Sequence, residues 1–165
     1  MGTWKLVPKP PNAIPIANKW VFIKKHDNSQ EEIQKRTQLV IKGCLQHPGY
    51  DYLEMYSPVV RMDTLCMILA LVPLKNLQLQ QIDVKGAYLN GILQETIYMC
   101  QPEGCEDGTG QVCLLIKTLY SLKQAGHEWN HQLDEKLKTH TYKHLLMDPC
   151  TYIQCNGEDF GIMTV

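Results

Sequence analysis

The spacing of apolar and polar positions changes several times along this chain, and each change predicts an element. Residues 19–25 (KWVFIKK) and 31–43 (EEIQKRTQLVIKG) read as two strands around the turn-forming HDNSQ of residues 26–30, a basic β-hairpin. Ahead of it, the Pro- and Asn-rich stretch within residues 1–18 predicts an irregular, loosely held arm. Residues 46–57 (QHPGYDYLEMYS) read as a loop. Leu65, Ile68, Leu69 and Val72 then recur at helical spacing, with Asp63 placed to cap that helix and Pro73 to end it. Residues 77–84 (LQLQQIDV) alternate as a strand does, and KGAYLNG breaks the alternation. Strands are expected at 95–100 and 112–116, with the loop QPEGCEDGTG between them. A second helix is expected over 126–140, carrying Trp129, Leu133 and Leu137 on one stripe. Residues 150–155 and 159–165 flank Asn156-Gly157, the strongest short hairpin signal. The pattern predicts an α+β fold, an antiparallel sheet with helices on one face. The last strand runs to residue 165 with no turn signal after it, which reads as a domain cut in mid-strand.

Composition changes this picture little. Apolar residues are 44% and charged residues 20% of 165 positions, ordinary for a globular chain able to bury a core. The longest apolar run lies within residues 67–74, too short to cross a bilayer, and the MGTWKL start lacks a signal-peptide core. An intracellular protein is expected. The seven cysteines are odd in number and contain no C-x-x-C, which points to reduced, mostly buried thiols. A zinc site drawn from Cys100, Cys105 and Cys113 is the weaker alternative. The net charge of −1 hides an asymmetry: residues 1–50 carry +5 and the remainder −6. A basic third suits phosphates and an acidic remainder suits a cation, although two solvated faces would look the same.

The loudest motif is HEWNH. His127, Glu128 and His131 fit H-E-x-x-H, in which two imidazoles one helical turn apart bind zinc and the Glu serves as general base. A catalytic zinc needs a third ligand, and the positions where one long form of the motif places Gly and His hold Asp134 and Leu137. Trp129, between the histidines, opens the apolar stripe of the helix. A zinc hydrolase therefore stays a remote alternative. His140 and His144 repeat the spacing and read as surface residues at a helix end.

QQIDVKGAYLNG (80–91), IYMCQPEG (97–104) and IKTLYSLKQAGHEWN (116–130), with KWVFIKK, QLVIKG, GYDYLEMYSPVVRM and DPCTYI in the same order and spacing, resemble the reverse transcriptase of copia-type LTR retrotransposons across essentially the whole chain. The resemblance implies RNA-directed DNA synthesis with two metal ions, Mg²⁺ or Mn²⁺, held by palm carboxylates. It makes Asp83 the first of those carboxylates and the Val84 carbonyl its backbone partner on the metal. It places Tyr88 under the incoming sugar, with Ala87 in close backbone contact, and Gln124 at the nucleotide corner between fingers and palm. The hairpin becomes the fingers, whose cations, Arg36 and Lys42 among them, grip the triphosphate. Read without the resemblance, Asp83 is a strand-end turn residue, Tyr88 a packed tyrosine, Gln124 a polar helix start, and the hairpin cations guard an exposed edge. HEWNH then opens the palm helix, with His127 where the family usually carries Arg.

The resemblance also implies boundaries and losses. Residues 1–62 would form an N-terminal arm and fingers-like hairpin, and residues 63–165 an incomplete palm-like region, with 93–125 partly returning to the fingers. Gln38 replaces an Arg expected to meet phosphate, which removes a charge-assisted contact. Ser121 replaces a Gly, which strains the turn if that position needs a positive φ. The aromatic-Val-Asp-Asp hairpin that supplies the other metal-binding aspartates is not among these residues, nor are the thumb, connection and RNase H regions. The expectation is a Pol polyprotein fragment that binds no metal stably and does not polymerise on its own. In the intact enzyme the partners would be an RNA/DNA primer–template and dNTP, with no membrane. The alternative is a non-catalytic nucleic-acid-binding or interaction fragment.

Overall fold

A computed structural model describes residues 2–26, 32–157 and 159–165. In chain order the elements are β1 (Trp4–Val7), β2 (Asn18–His26), β3 (Glu32–Ile41), α1 (Met62–Leu74), β4 (Tyr98–Met99), β5 (Val112–Leu115), α2 (Ala125–Thr139), β6 (Lys143–His144), β7 (Thr151–Asn156) and β8 (Asp159–Thr164). The fold is α+β with antiparallel pairing, as the pattern predicted. Among the described residues, however, the strands form three small sheets instead of one: β1-β5-β4, the hairpin β2-β3, and β6-β7-β8. The chain divides into two compact units, each built from two separate stretches: Met1–Tyr56 with Gly86–Trp129, and Ser57–Lys85 with Asn130–Val165.

The first unit holds the larger core. Ile16, Leu39, Ile41, Ile97, Met99, Cys113, Leu115, Leu119, Leu122 and Ala125 are buried together. Burying each large aliphatic side chain contributes about 1.5–3 kcal/mol, so this cluster stabilises the unit. The hairpin runs from Asn18↔Ile41 to His26↔Glu32, with a bulge between Lys25 and His26. The turn expected over 26–30 and the start of the second strand at Glu31 lie, beyond His26, outside the described residues. The expected loose arm is corrected. Trp4–Val7 pairs residue for residue with Val112–Leu115, and Ile16 is a core residue whose N–H donates to the Tyr98 carbonyl. The prolines of the arm leave enough donors and apolar side chains on either side of them to join a sheet. The strand expected over 95–100 is regular only at Tyr98–Met99.

In the second unit, α1 begins one residue before Asp63 and continues through Pro73 to Leu74, so the proline does not end it. Asp63 sits in the first turn, where its charge suits the helix dipole. The capping is done from outside the helix: Asp148 Oδ2 accepts the Arg61 N–H at 3.1 Å. Residues 77–84 form no strand, because no segment pairs with them among the described residues. β7 and β8 pair from Thr151↔Thr164 to Asn156↔Asp159, so Asn156 closes the strand and Gly157, at φ +66°, begins the turn. Burial centres on Leu137, Asp148, Cys150, Thr151 and Tyr152, while no residue of α1 is buried. The seven thiols are free, yet five are exposed and only Cys113 and Cys150 are buried, which corrects the expectation of mostly buried cysteines.

Candidate nucleotide corner and basic cleft

The hairpin sets its cations by register. Leu39 and Ile41 face the core, so Arg36, Gln38 and Val40 face the other way, opposite Ile23, Val21 and Lys19. The base of the hairpin is fastened to the segment before α2, since the Ile41 N–H donates to the Tyr120 carbonyl at 3.1 Å. Lys42 follows, its own N–H held by the Ala17 carbonyl at 2.8 Å. Here Lys42, Lys19 and Lys123 line one cleft of about 710 Å³, with Val40, Cys44 and Ser121 on its walls. Among the described residues no carboxylate lines it. Arg36 is exposed further along the same face of the hairpin.

The wall of the cleft is a tight corner. Ser121 has φ +70°, so the anticipated positive φ is real and a side chain occupies a conformation that favours glycine. A Cβ on Gly43 would fall onto the Ser121 carbonyl, so only glycine lets these two backbones meet. Beneath them lies a buried amide pair. Gln46 Nε2 donates to Gln124 Oε1 at 3.0 Å, and Gln46 Oε1 accepts the Lys123 N–H at 2.8 Å. Gln124 is fully buried, and its Nε2 donates to the Asp51 carbonyl at 2.9 Å and to Glu95 Oε2 at 3.3 Å. Both amide hydrogens of Gln124 are thus taken by protein.

The turn carrying Ala87 and Tyr88 is docked on the start of α2. The Thr118 hydroxyl donates to the Tyr88 carbonyl, and the Thr118 N–H donates to the Gly91 carbonyl at 2.9 Å. A Cβ on Gly91 would meet Thr118 Oγ1 at 2.7 Å and Glu128 Cβ at 2.9 Å, so the close approach needs glycine. Ala87 is half-buried, and the Tyr88 ring projects from this fixed backbone with 47% of the residue exposed.

Asp83 and Val84 belong to the second unit, in the irregular exposed stretch 77–84, whereas Arg36, Lys42, Ala87, Tyr88 and Gln124 belong to the first. Among the described residues no group of three or more His, Cys, Asp or Glu is placed to hold a metal ion. One exposed carboxylate and one carbonyl do not make a two-metal centre. Asp148, a buried carboxylate, is occupied in structure: a hydrogen bond from Thr64, then those of the Arg61 and Cys150 N–H groups, hold it below the usual carboxylate range. In HEWNH, His127 Nδ1 lies 2.9 Å from the Tyr56 carbonyl, which can only accept, so Nδ1 carries the proton. Glu128 is buried and His131 exposed. Lys19, Lys123 and Gln46 escaped the reading of the sequence. Lys123 adjoins Gln124, and Lys19 pairs with Val40, but Gln46 gives no local signal because its role depends on residues 77 and 78 positions away.

The family described as reverse transcriptase (RNA-dependent DNA polymerase) matches residues 1–165. The chain is 43% identical over 160 residues to the retrovirus-related Pol polyprotein from transposon TNT 1-94 of Nicotiana tabacum, covering 96% of this chain and 12% of that protein. It is 34% identical over 166 residues to the retrovirus-related Pol polyprotein from transposon RE1 of Arabidopsis thaliana, covering 99% of this chain and 11% of that protein. The truncated transposon Ty1-A Gag-Pol polyprotein of Saccharomyces cerevisiae is 31% identical over 116 residues, covering 69% of this chain and 9% of that protein. The chain therefore spans about a tenth of the length of these relatives. No solved structure matches.

Proposed function

The chain belongs to the reverse transcriptase (RNA-dependent DNA polymerase) family, a stretch of a copia-type transposon Pol polyprotein, and on that premise we propose that residues 1–165 are its fingers and part of its palm. The observation that carries the proposal is the cleft at the hairpin base, which Lys19, Lys42 and Lys123 line beside the Gln124 corner. Three lysines, with no carboxylate among the described residues that line the cleft, suit the phosphates of a primer–template or nucleotide. Arg36 and Lys42 would grip phosphate, Tyr88 would meet the incoming sugar above the Ala87 backbone, and Gln124 would hold the corner from below. Asp83 would be one of the palm carboxylates, with the Val84 carbonyl beside it. In the intact enzyme Asp83 and the Val84 carbonyl would hold Mg²⁺ or Mn²⁺ only together with carboxylates that residues 1–165 do not supply, and the ions would provide Lewis-acid chemistry at phosphate.

By themselves these residues offer one such carboxylate, so residues 1–165 are expected not to extend a primer. Primer extension by this chain with Mg²⁺ or Mn²⁺ is expected to give no product; product that Asp83→Ala abolishes would overturn this. Extending the polypeptide through an aromatic-Val-Asp-Asp segment is expected to bring activity that depends on Asp83. A second reading, a non-catalytic nucleic-acid-binding segment, rests on the same lysines. It predicts primer–template binding whose logarithmic salt slope falls by about one for each lysine of the cleft that is neutralised. Absence of binding at low salt removes it.

A further inference from the structure

The buried amides of the corner admit one orientation only. A glutamine amide can exchange its oxygen and nitrogen ends, and its neighbours decide which is present. Gln124 faces the Asp51 carbonyl at 2.9 Å and the Glu95 carboxylate at 3.3 Å, both acceptors, so its nitrogen must point there. Its oxygen then faces Gln46, which must answer with nitrogen at 3.0 Å. That leaves the Gln46 oxygen toward the Lys123 N–H, a donor that cannot change role, at 2.8 Å. The result is a one-way relay from Lys123 through Gln46 and Gln124 to Asp51 and Glu95, closed at both ends. Gln46 is 6% exposed and Gln124 0%, so water cannot replace a missing partner.

We propose that Gln46 is the positioning residue of the corner: its amide fixes the Lys123 backbone, and so the lysine at the cleft, while locking the amide of Gln124. Its effect on ligands rests on the phosphate-cleft reading above; its effect on the corner does not. The position requires a group that accepts at one atom and donates at the other. An ionised Glu accepts twice and opposes Gln124 Oε1. A protonated Glu accepts Lys123 N–H through its carbonyl and donates through its hydroxyl, and burial favours that neutral form. Met has the length and neither function.

The test compares the full chain with its Gln46→Glu and Gln46→Met variants from about pH 8 to about pH 5, below which ordinary carboxylates begin to titrate. Two quantities are read at each pH: exchange of the Lys123 amide by NMR, normalised to its intrinsic rate, and affinity for single-stranded oligo(dT) at low salt. At the upper pH, Gln46→Glu is expected to speed exchange and weaken binding by about tenfold each, the loss typical of a broken buried hydrogen bond. Both return toward wild type as pH falls, and Gln46→Met stays impaired throughout. Variants that match wild type overturn the proposal. So does a Gln46→Glu defect that ignores pH, including a variant that circular dichroism finds unfolded over the whole range. If wild type fails to bind oligo(dT), the cleft reading fails, and the exchange profile alone decides the relay.

Discussion

Ser121 holds a conformation that a β-carbon resists, at the point where two backbones touch. A non-glycine residue there costs about 1–2 kcal/mol. Glycine would relieve that cost while adding about 0.5–1 kcal/mol of freedom to the unfolded chain. Ser121→Gly is therefore expected to stabilise the first unit by about 0.5–1 kcal/mol, read as a higher urea midpoint. A lower midpoint would mean that the hydroxyl makes a stabilising contact of its own. Asp148 works at the same scale in the second unit. The hydrogen bond from Thr64, and then those from Arg61 and Cys150, keep its carboxyl below its ordinary value of 3.8. Its stabilisation is fully present above that value and is lost as pH falls through the lower folded value. Acid is thus expected to loosen the start of α1, and Asp148→Asn to remove that acid step, as seen in α1 amide exchange across an acid titration. The strain at Ser121 was legible from the sequence through its departure from a family pattern. The part played by Asp148 was not, since its partners lie 87 and 84 positions away in the chain.

At the scale of elements, the sequence was most informative where period and turn chemistry agreed. The hairpin β2–β3, the helix α2 and the strands flanking Asn156-Gly157 stand within a residue or two of their expected places. It misled where an element depends on a distant partner. Residues 77–84 alternate as well as any strand, but alternation supplies no hydrogen bonds, and no ladder accepts them among the described residues. Residues 1–18 erred in the opposite direction, because a partner strand at Val112–Leu115 overrides proline-rich composition. β7 carries its own prediction. Burial first, and then the Asp134 carboxylate, push the Tyr152 hydroxyl up from 10.0 to about 12. A raised value means stability present below pH 10 and lost as pH climbs toward 12. Alkaline titration followed by tyrosinate absorbance should show one late-ionising group coincident with loosening of the β7–β8 hairpin. Tyr152→Phe should abolish that coincidence.

For the whole molecule, fold class and family were legible, and the chain divides into two units, each built from two separate stretches. The expectation is residues 1–62 and 63–165, with 93–125 partly returning to the first part, and burial groups Leu39 and Ile41 with Ile97, Met99, Cys113 and Leu119. Candidate residues were found by motif: Arg36, Lys42, Ala87, Tyr88 and Gln124 share the first unit, while Asp83 and Val84 fall in the second. The shared lining by three lysines depended on strand register and corner geometry, which no single stretch of sequence contains.

The interleaving has a consequence for synthesis on the ribosome. The first unit needs residues Met1–Tyr56 and also Gly86–Trp129, so its opening segment emerges well before the strands and helix start that cover it. At roughly 5–20 residues per second, the wait is on the order of 4–15 seconds. During that interval the apolar face of the nascent hairpin is open to chaperones and proteases. A nonsense codon anywhere before Trp129 would leave the segment permanently uncovered, a target for clearance instead of a shorter working protein.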